Sequence, residues 1–339
     1  MEQIYIGCDL HKRTSNLCIK TQSGRLLSET KIKTTKEEFQ RILSEYAGAH
    51  IVFEPVSQSW WLGDILEELG LVVYLANARE VKAIAHARVK NDKIDAAVLC
   101  DLLRGNLLPE SYRSTKEARA WKEQVRFRTS LIGMRTQIKN KIHGLLGRNG
   151  IVAPLGMIFG PKGRAWLEAL PLSALHREHL TQYLKLIDTY EAQIALATKV
   201  IEETVATADE AKRLLSIPGI SYVSALSIMS ELDTIERFHD CKQVASYAGL
   251  VPSVYASGDS IRYGRLTKRG SKTLRTILIE VAHSQGRLKR SVGLKPYFER
   301  IEKRKGSRTA TVATARKLCV IIYHILKSKV LFDDTRLVA

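Results

Sequence analysis

Cysteine is the first scarcity in this 339-residue chain: five residues, at positions 8, 18, 100, 241 and 319, with no two at metal-ligand spacing. Their scatter and odd number argue against a zinc module or a disulfide framework, and they fit a reducing cytosol. Long apolar runs are missing too. No stretch reaches eighteen apolar residues and no charged-then-apolar segment opens the chain, so the expectation is a protein neither secreted nor membrane-spanning. Acid to match the base is also lacking. The net charge is +18, and residues 1–110 carry 14 Lys/Arg against 15 Asp/Glu, residues 111–209 carry 15 against 9, and residues 210–339 carry 24 against 11. The first third is neutral and the remainder strongly basic. Such asymmetry points to a polyanionic partner, nucleic acid before others, held by the second and third parts. A chain this long holds two or three domains, here expected over 1–110, 111–209 and 210–339.

Ile4-Tyr5-Ile6-Gly7-Cys8-Asp9-Leu10-His11-Lys12 has the pattern of a buried strand with a carboxylate at its end. Thr14 to Lys20 and, after the Ser23-Gly24 turn, Arg25 to Lys33 complete an antiparallel meander with the acid-bearing strand at its centre. A helix from Lys36 to Ala47 follows, then a short apolar strand from His50 to Glu54, a helix through Trp60 and Leu69, and a third apolar strand from Leu71 to Leu75. Strand–helix–strand alternation after a meander predicts an α/β domain with a mixed sheet, and in such sheets working residues sit at the carboxyl ends of strands. Asp9 and Glu54 hold that position. A further helix opens with Asp92 and Asp95, three apart and on one face. Singly, each acid has an ordinary explanation: Asp92 is a good helix cap, and Lys12 or Arg13 lies close to Asp9. Four carboxylates together can share a pocket only around cations, and ligands that are all oxygen point to Mg²⁺ or Mn²⁺, ions that serve phosphoryl transfer.

From Arg113 to Arg148, ten Lys/Arg stand against Glu117 and Glu123, with Leu131, Met134, Ile138, Ile142 and Leu145 as an apolar stripe. Gly144, Gly147, Gly150 and Pro154 are expected to break this helix, and a second long helix is expected over 175–206. The two make an antiparallel hairpin or coiled-coil arm that grips nucleic acid through residues such as Arg126, Arg135 and Lys139, or else a plain solvated pair. Ile217-Pro218-Gly219-Ile220, between apolar helices, has the form of a helix-hairpin-helix turn suited to a phosphate, or of an ordinary interhelix turn. Next comes a Ser-Gly loop in which Ser253, Ser257, Ser260 and Ser271 compete as candidate nucleophiles, among the cations Arg262, Arg265, Lys268, Arg269 and Lys272. The chain stays cationic to Arg308, and a helix over 309–327 supplies core.

Gly7-x-Asp9-x-His11-Lys12, Glu54 and Asp92-x-x-Asp95 resemble the DEDD set of a ribonuclease-H-like, Holliday-junction-resolvase-type (RuvC-like) domain. The closest pattern is that of bacterial insertion-sequence family one-hundred-and-ten, the bridge-RNA-guided recombinases. The run from Ala248-Gly249-Leu250-Val251-Pro252 through Tyr255, Ser257-Gly258, Ser260 and Arg262 is similar to that family's C-terminal transposase domain. Actin-like ATPases also use a strand with Gly-x-Asp, but they need glycines and hydroxyls after the acid, where this chain has Leu10-His11-Lys12-Arg13. The resemblance implies a RuvC-like α/β domain, a helical or coiled-coil middle and a mainly helical transposase domain. It further implies Mg²⁺ held by Asp9, Glu54, Asp92 and Asp95, and a covalent phosphoserine link to DNA at Ser257. The partners it implies are target and donor DNA, a guide (bridge) RNA, and copies of the chain that form a dimer pairing into a tetramer, with the site completed between subunits. The compartment is then the cytoplasm, on the nucleoid. Two other functions stay open on the residues alone: a Mg²⁺-dependent junction nuclease that uses water, and a non-catalytic nucleic-acid-binding regulator.

Overall fold

A computed structural model describes residues 2–56, 59–84, 92–154, 158–257, 260–288 and 293–334, the side chains of Asp92, Lys93, Ala256, Ser257 and Ile261 aside. The chain divides into two compact units, Met1–Arg113 and Ser114–Ala339.

The first unit is built on strands β1 (Ile4–Leu10), β2 (Thr14–Thr21) and β3 (Leu26–Lys33), the expected meander. Then come α1 (Lys36–Leu43), β4 (His50–Phe53), α2 (Ser59–Glu68), β5 (Val72–Ala76), α3 (Ala78–Ile84), α4 (Asp92–Arg104) and the two-residue β6 (Glu110–Ser111). They form one mixed sheet in the order β3-β2-β1-β4-β5-β6. β1 is antiparallel to β2 and parallel to β4, and β4 is parallel to β5. The acid-bearing strand is central, as expected. The expected helix over 36–47 is shorter, because Ser44–Tyr46 tighten into a 3₁₀ turn.

Side-chain alternation along β1 decides where the helices go. Ile6, Cys8 and Leu10 turn to one face and pack with Phe39 and Leu43 of α1 and Leu62 and Leu66 of α2. Gly7 turns to the other face, as do its register partners Cys18 and Val52. There α4 buries Ala96, Leu99, Cys100 and Leu103. The helix comes so close that a β-carbon on Gly7 would collide with the Ala96 carbonyl oxygen and stand 2.6 Å from the Cys100 amide nitrogen. The obstacle is backbone and cannot swing aside. At its other end α4 is tied to β2 by Lys20 Nζ, 2.7 Å from Asp101 Oδ2.

The second unit is mainly helical. Its helices are α5 (Lys116–Arg148), α6 (Pro161–Ala169), α7 (Ala174–Thr207), α8 (Asp209–Leu215), α9 (Tyr222–Leu232), α10 (Cys241–Tyr247), α11 (Lys272–Gly286), α12 (Lys295–Lys305) and α13 (Ser307–Ser328). Strands β7 (Pro252–Ser257) and β8 (Ser260–Leu266) form a separate two-stranded sheet. α5 and α7 run antiparallel: Thr204 bonds Gln124 at 3.2 Å, Arg128 bonds Thr198 at 2.8 Å, and Arg135 lies 3.8 Å from Glu191. At the far end of this arm Ile142, Leu146, Ile158, Leu167, Leu184 and Ile187 make a small core of their own. At its base Val125, Ile201 and Val205 join the larger core of α8 to α13. α13 is long and apolar enough to cross a membrane by length and composition, yet Ala315, Leu318, Cys319 and Ile322 are buried in that core.

Two expectations are corrected here, and one stretch gains an element. Gly144 and Gly147 do not break α5, which runs on to Arg148 because Leu145 and Leu146 are packed in the core, and only Gly150, at φ +68°, ends the segment. The serine segment is a β-hairpin, not a loop: Val254, Tyr255, Ile261 and Tyr263 supply the strand propensity. The cationic stretch after Gln285 contains α12, whose Phe298 is buried.

Gly7→Val is expected to destabilise the first unit by about 3 kcal/mol or more, since overpacking against backbone cannot be relieved by a rotamer change. Thermal unfolding followed by circular dichroism measures it, and a melting curve equal to the parent's would contradict the close approach of α4.

Candidate metal centre and nucleic-acid interface

The register sets Cys8 beside Phe53 on the parallel pair β1 and β4. Asp9 is the next residue of β1, and Glu54 follows the last residue of β4, so the two acids stand at neighbouring strand ends. By alternation Asp9 shares the face of Gly7, the face covered by α4, while Glu54 lies just past the end of its strand. Asp95 lies in the first turn of α4, half-buried, directly before the Ala96 that presses on Gly7. Asp92 is the first residue of that helix, and its side chain lies outside the described residues. Gly7 therefore lets α4, with Asp95 in its first turn, sit directly over the strand that carries Asp9.

Asp9 is 18% exposed, and His11 Nε2 stands 3.0 Å from its Oδ2. His11, two residues on, thus meets Asp9, where the sequence suggested Lys12 or Arg13. Cys8, next to Asp9, turns to the opposite face into the core with α1 and α2, and burial, reinforced by the charge of Asp9, pushes its thiol well above the ordinary range. The donor set is all oxygen, and by chemistry it fits Mg²⁺ or Mn²⁺. Among the described residues no group of three or more His, Cys, Asp or Glu side chains stands close enough to hold a metal ion.

In the second unit Ser257 is the last residue of β7 and faces Ser260 across the hairpin. Arg262, Arg265, Lys268, Arg269 and Lys272 are all exposed. The loop that bears Lys268 and Arg269 is held in shape from below. Lys268 sits at φ +51° and Gly270 at φ +103°, where a side chain on Gly270 would strike the Tyr247 carbonyl. Ser271 caps α11 by accepting from the Leu274 N–H at 3.0 Å, and its hydroxyl donates to the buried Glu231 at 2.8 Å. Burial holds the Lys122 ammonium below the usual lysine range, with Glu231 and Asp233 opposing the shift. Glu231 was not among the residues singled out from sequence, since a glutamate in an apolar helix gives no local sign of its partner forty residues on.

The arm cations divide differently. Arg126 is exposed, whereas Arg135 and Lys139 are half-buried, each 3.8 Å from Glu191 on α7. Lys139 also lies 4.9 Å from the Phe159 ring centre. Both contribute to helix pairing as the structure stands.

An acid-tipped mixed sheet and a cation-rich serine hairpin in one chain mark a protein that works on nucleic-acid phosphates. Residues 6–149 match the DEDD transposase family model of IS110 elements, and residues 211–297 match the model for transposases of the IS116/IS110/IS902 family. The chain belongs to the IS110 family of transposases. It is similar to the transposase of insertion sequence element IS1111A of Coxiella burnetii, 26% identical over 95% of this chain and 89% of that one. A probable family 20 transposase of Pseudomonas aeruginosa is 28% identical over 80% of this chain and 81% of its own. A pilin gene-inverting protein of Moraxella bovis is 31% identical, over 36% of this chain and 38% of its own.

Three outcomes are expected. Replacing Lys268, Arg269 and Lys272 together by Ala lowers DNA affinity and reduces the slope of log affinity against log salt by about 3. Arg135→Ala with Lys139→Ala acts mainly on the melting temperature, and a salt-slope change equal to that of the triple variant would overturn the division. Ser271→Ala removes a cap and a donor to buried Glu231, a loss of about 1–3 kcal/mol by denaturant titration.

Proposed function

We propose that this protein is an RNA-guided DNA recombinase that cuts and rejoins DNA through a phosphoserine at Ser257, with a divalent metal held by Asp9, Glu54, Asp92 and Asp95. The observation that carries the reading is the pairing of family membership with the side-by-side exit of Asp9 and Glu54 from β1 and β4. The strand order 3-2-1-4-5, with β1 antiparallel to β2 and parallel to β4, supports a ribonuclease-H-like domain of RuvC type.

Mg²⁺ bound there supplies a Lewis acid at the scissile phosphate. The carboxylates would hold the ion, whose charge would offset their repulsion for one another and for the phosphate. In the proposed step Ser257 Oγ forms a bond to phosphorus and gives up its proton, while the bridging sugar oxygen leaves with the bond electrons and takes up a proton. A sugar hydroxyl of a second strand later attacks the same phosphorus and releases the serine. One phosphoester replaces another at each stage, so no energy source is consumed. Arg262, opposite Tyr255 in the hairpin register, offsets the charge that builds on phosphorus. A guide RNA chooses target and donor. The working form is a dimer that pairs into a tetramer on two DNAs, in the cytoplasm at the nucleoid.

The test is a trapping assay with full-length protein, Mg²⁺, the element's RNA and end-labelled DNA from both partners on a denaturing gel. A slow protein–DNA band that needs Mg²⁺ and is lost in Ser257→Ala and in Asp9→Ala is expected. Cut DNA without a covalent band, unchanged by Ser257→Ala, would mean hydrolysis by water and overturn the serine mechanism.

A further inference from the structure

The hairpin that carries Ser257 has a feature outside the chemistry just described. In antiparallel pairing, residues directly opposite share a face, and so do residues two apart. Tyr255 pairs with Arg262, and the register positions of Ser257 and Ser260 lie two further toward the tip on the same face. Two residues toward the base on β8 is Gly264, where a β-carbon would stand 3.0 Å from Tyr255 Cε2 and collide with Ser253 Oγ. The Tyr255 ring therefore reaches over the Gly264 backbone with its Cε2 edge, into space that any side chain would take. The ring is otherwise open: the residue is 68% exposed.

An aromatic ring backed by main chain, flanked by an arginine and followed by exposed Arg265, Lys268 and Arg269, has the composition of a single-strand binding platform. The ring offers a stacking face and the cations take the adjoining phosphates. In an intact duplex both faces of every base are occupied by neighbours, so the ring selects a base that has left the stack. Among the described residues, the other face of the hairpin, with Val254 and Tyr263, has no glycine contact of this kind.

We infer that Tyr255, seated on Gly264, stacks against an unpaired DNA base next to the phosphate under attack, making it a positioning residue for strand exchange. The placement next to the cut rests on the reading of Ser257 as nucleophile; the stacking does not. The geometry also gives Gly264 a reason beyond strand flexibility, since any side chain there would lift the ring off its seat.

The experiment uses full-length protein and a 12-nucleotide single-stranded DNA containing one 2-aminopurine, whose fluorescence is quenched by stacking. The same sequence as a duplex and as RNA serves for comparison. Single-stranded DNA is expected to bind with quenching. Tyr255→Ala should weaken binding about tenfold and abolish the quenching, in line with the typical strength of base–aromatic stacking. Tyr255→Phe should stay within about twofold, because the hydroxyl is not needed for stacking. Gly264→Ala should behave like Tyr255→Ala, and the ring's exposure means the variants should melt with the parent. Unchanged binding and quenching in Tyr255→Ala would overturn the inference, as would quenching in the duplex equal to that in the single strand. In a second arm, 2-aminopurine is walked along the element's own DNA in Asp9→Ala protein. Quenching within two nucleotides of the cut is expected, and quenching only at remote positions would overturn the placement. Neither arm requires cleavage, so cutting that persists in Ser257→Ala would sink the phosphoserine reading and leave the stacking result standing.

Discussion

The first unit depends on one close approach, that of α4 to β1 across Gly7. Helices that pack on sheets normally stand off by the length of a side chain. Here the separation collapses, and the helix backbone touches strand backbone. Everything acidic in the unit follows from that contact. β1 delivers Asp9, the parallel register delivers Glu54 beside it, and the helix seated over Gly7 brings its first turn to the same face. The buried Cys18–Cys100 contact zone and the Lys20–Asp101 ion pair then hold the helix along its length.

Carboxylates that serve as clasps organise the second unit. The Thr115 N–H and hydroxyl donate to the two oxygens of Asp233, at 2.8 and 2.9 Å, and fasten the start of α5 to the end of α9. Glu231, two residues earlier, receives the Ser271 hydroxyl and fastens the start of α11. One short stretch of α9 thus pins both the root of the long arm and the root of the cationic loop. A buried carboxylate is costly when unpaired, so these contacts also make the local arrangement hard to alter piecemeal.

Much of this was legible in the chain itself. The meander, the central acid strand and both long helices follow from apolar periodicity and turn residues, signals that act within a few positions. Local signals fail where the answer depends on a distant residue. Arg135 and Lys139 look like nucleic-acid contacts until Glu191, over fifty positions away, is found between them. The hairpin was hidden because Ser253, Ser257, Ser260 and Gly264 dilute its alternation, and α12 because its charges outnumber its one buried aromatic. The Tyr255–Gly264 seat exists only in the register of two strands, and no spacing along one strand announces it.

The arm of α5 and α7 is close to a one-dimensional object. At 33 residues α5 is about 50 Å long, with one small core at its far end and a separate attachment at its base. Adding or removing two helical turns from both helices would change its reach by about 10 Å while leaving either core intact. Its length is therefore free to drift or to be selected independently of the acids and the serine, as a ruler whose graduations are heptads.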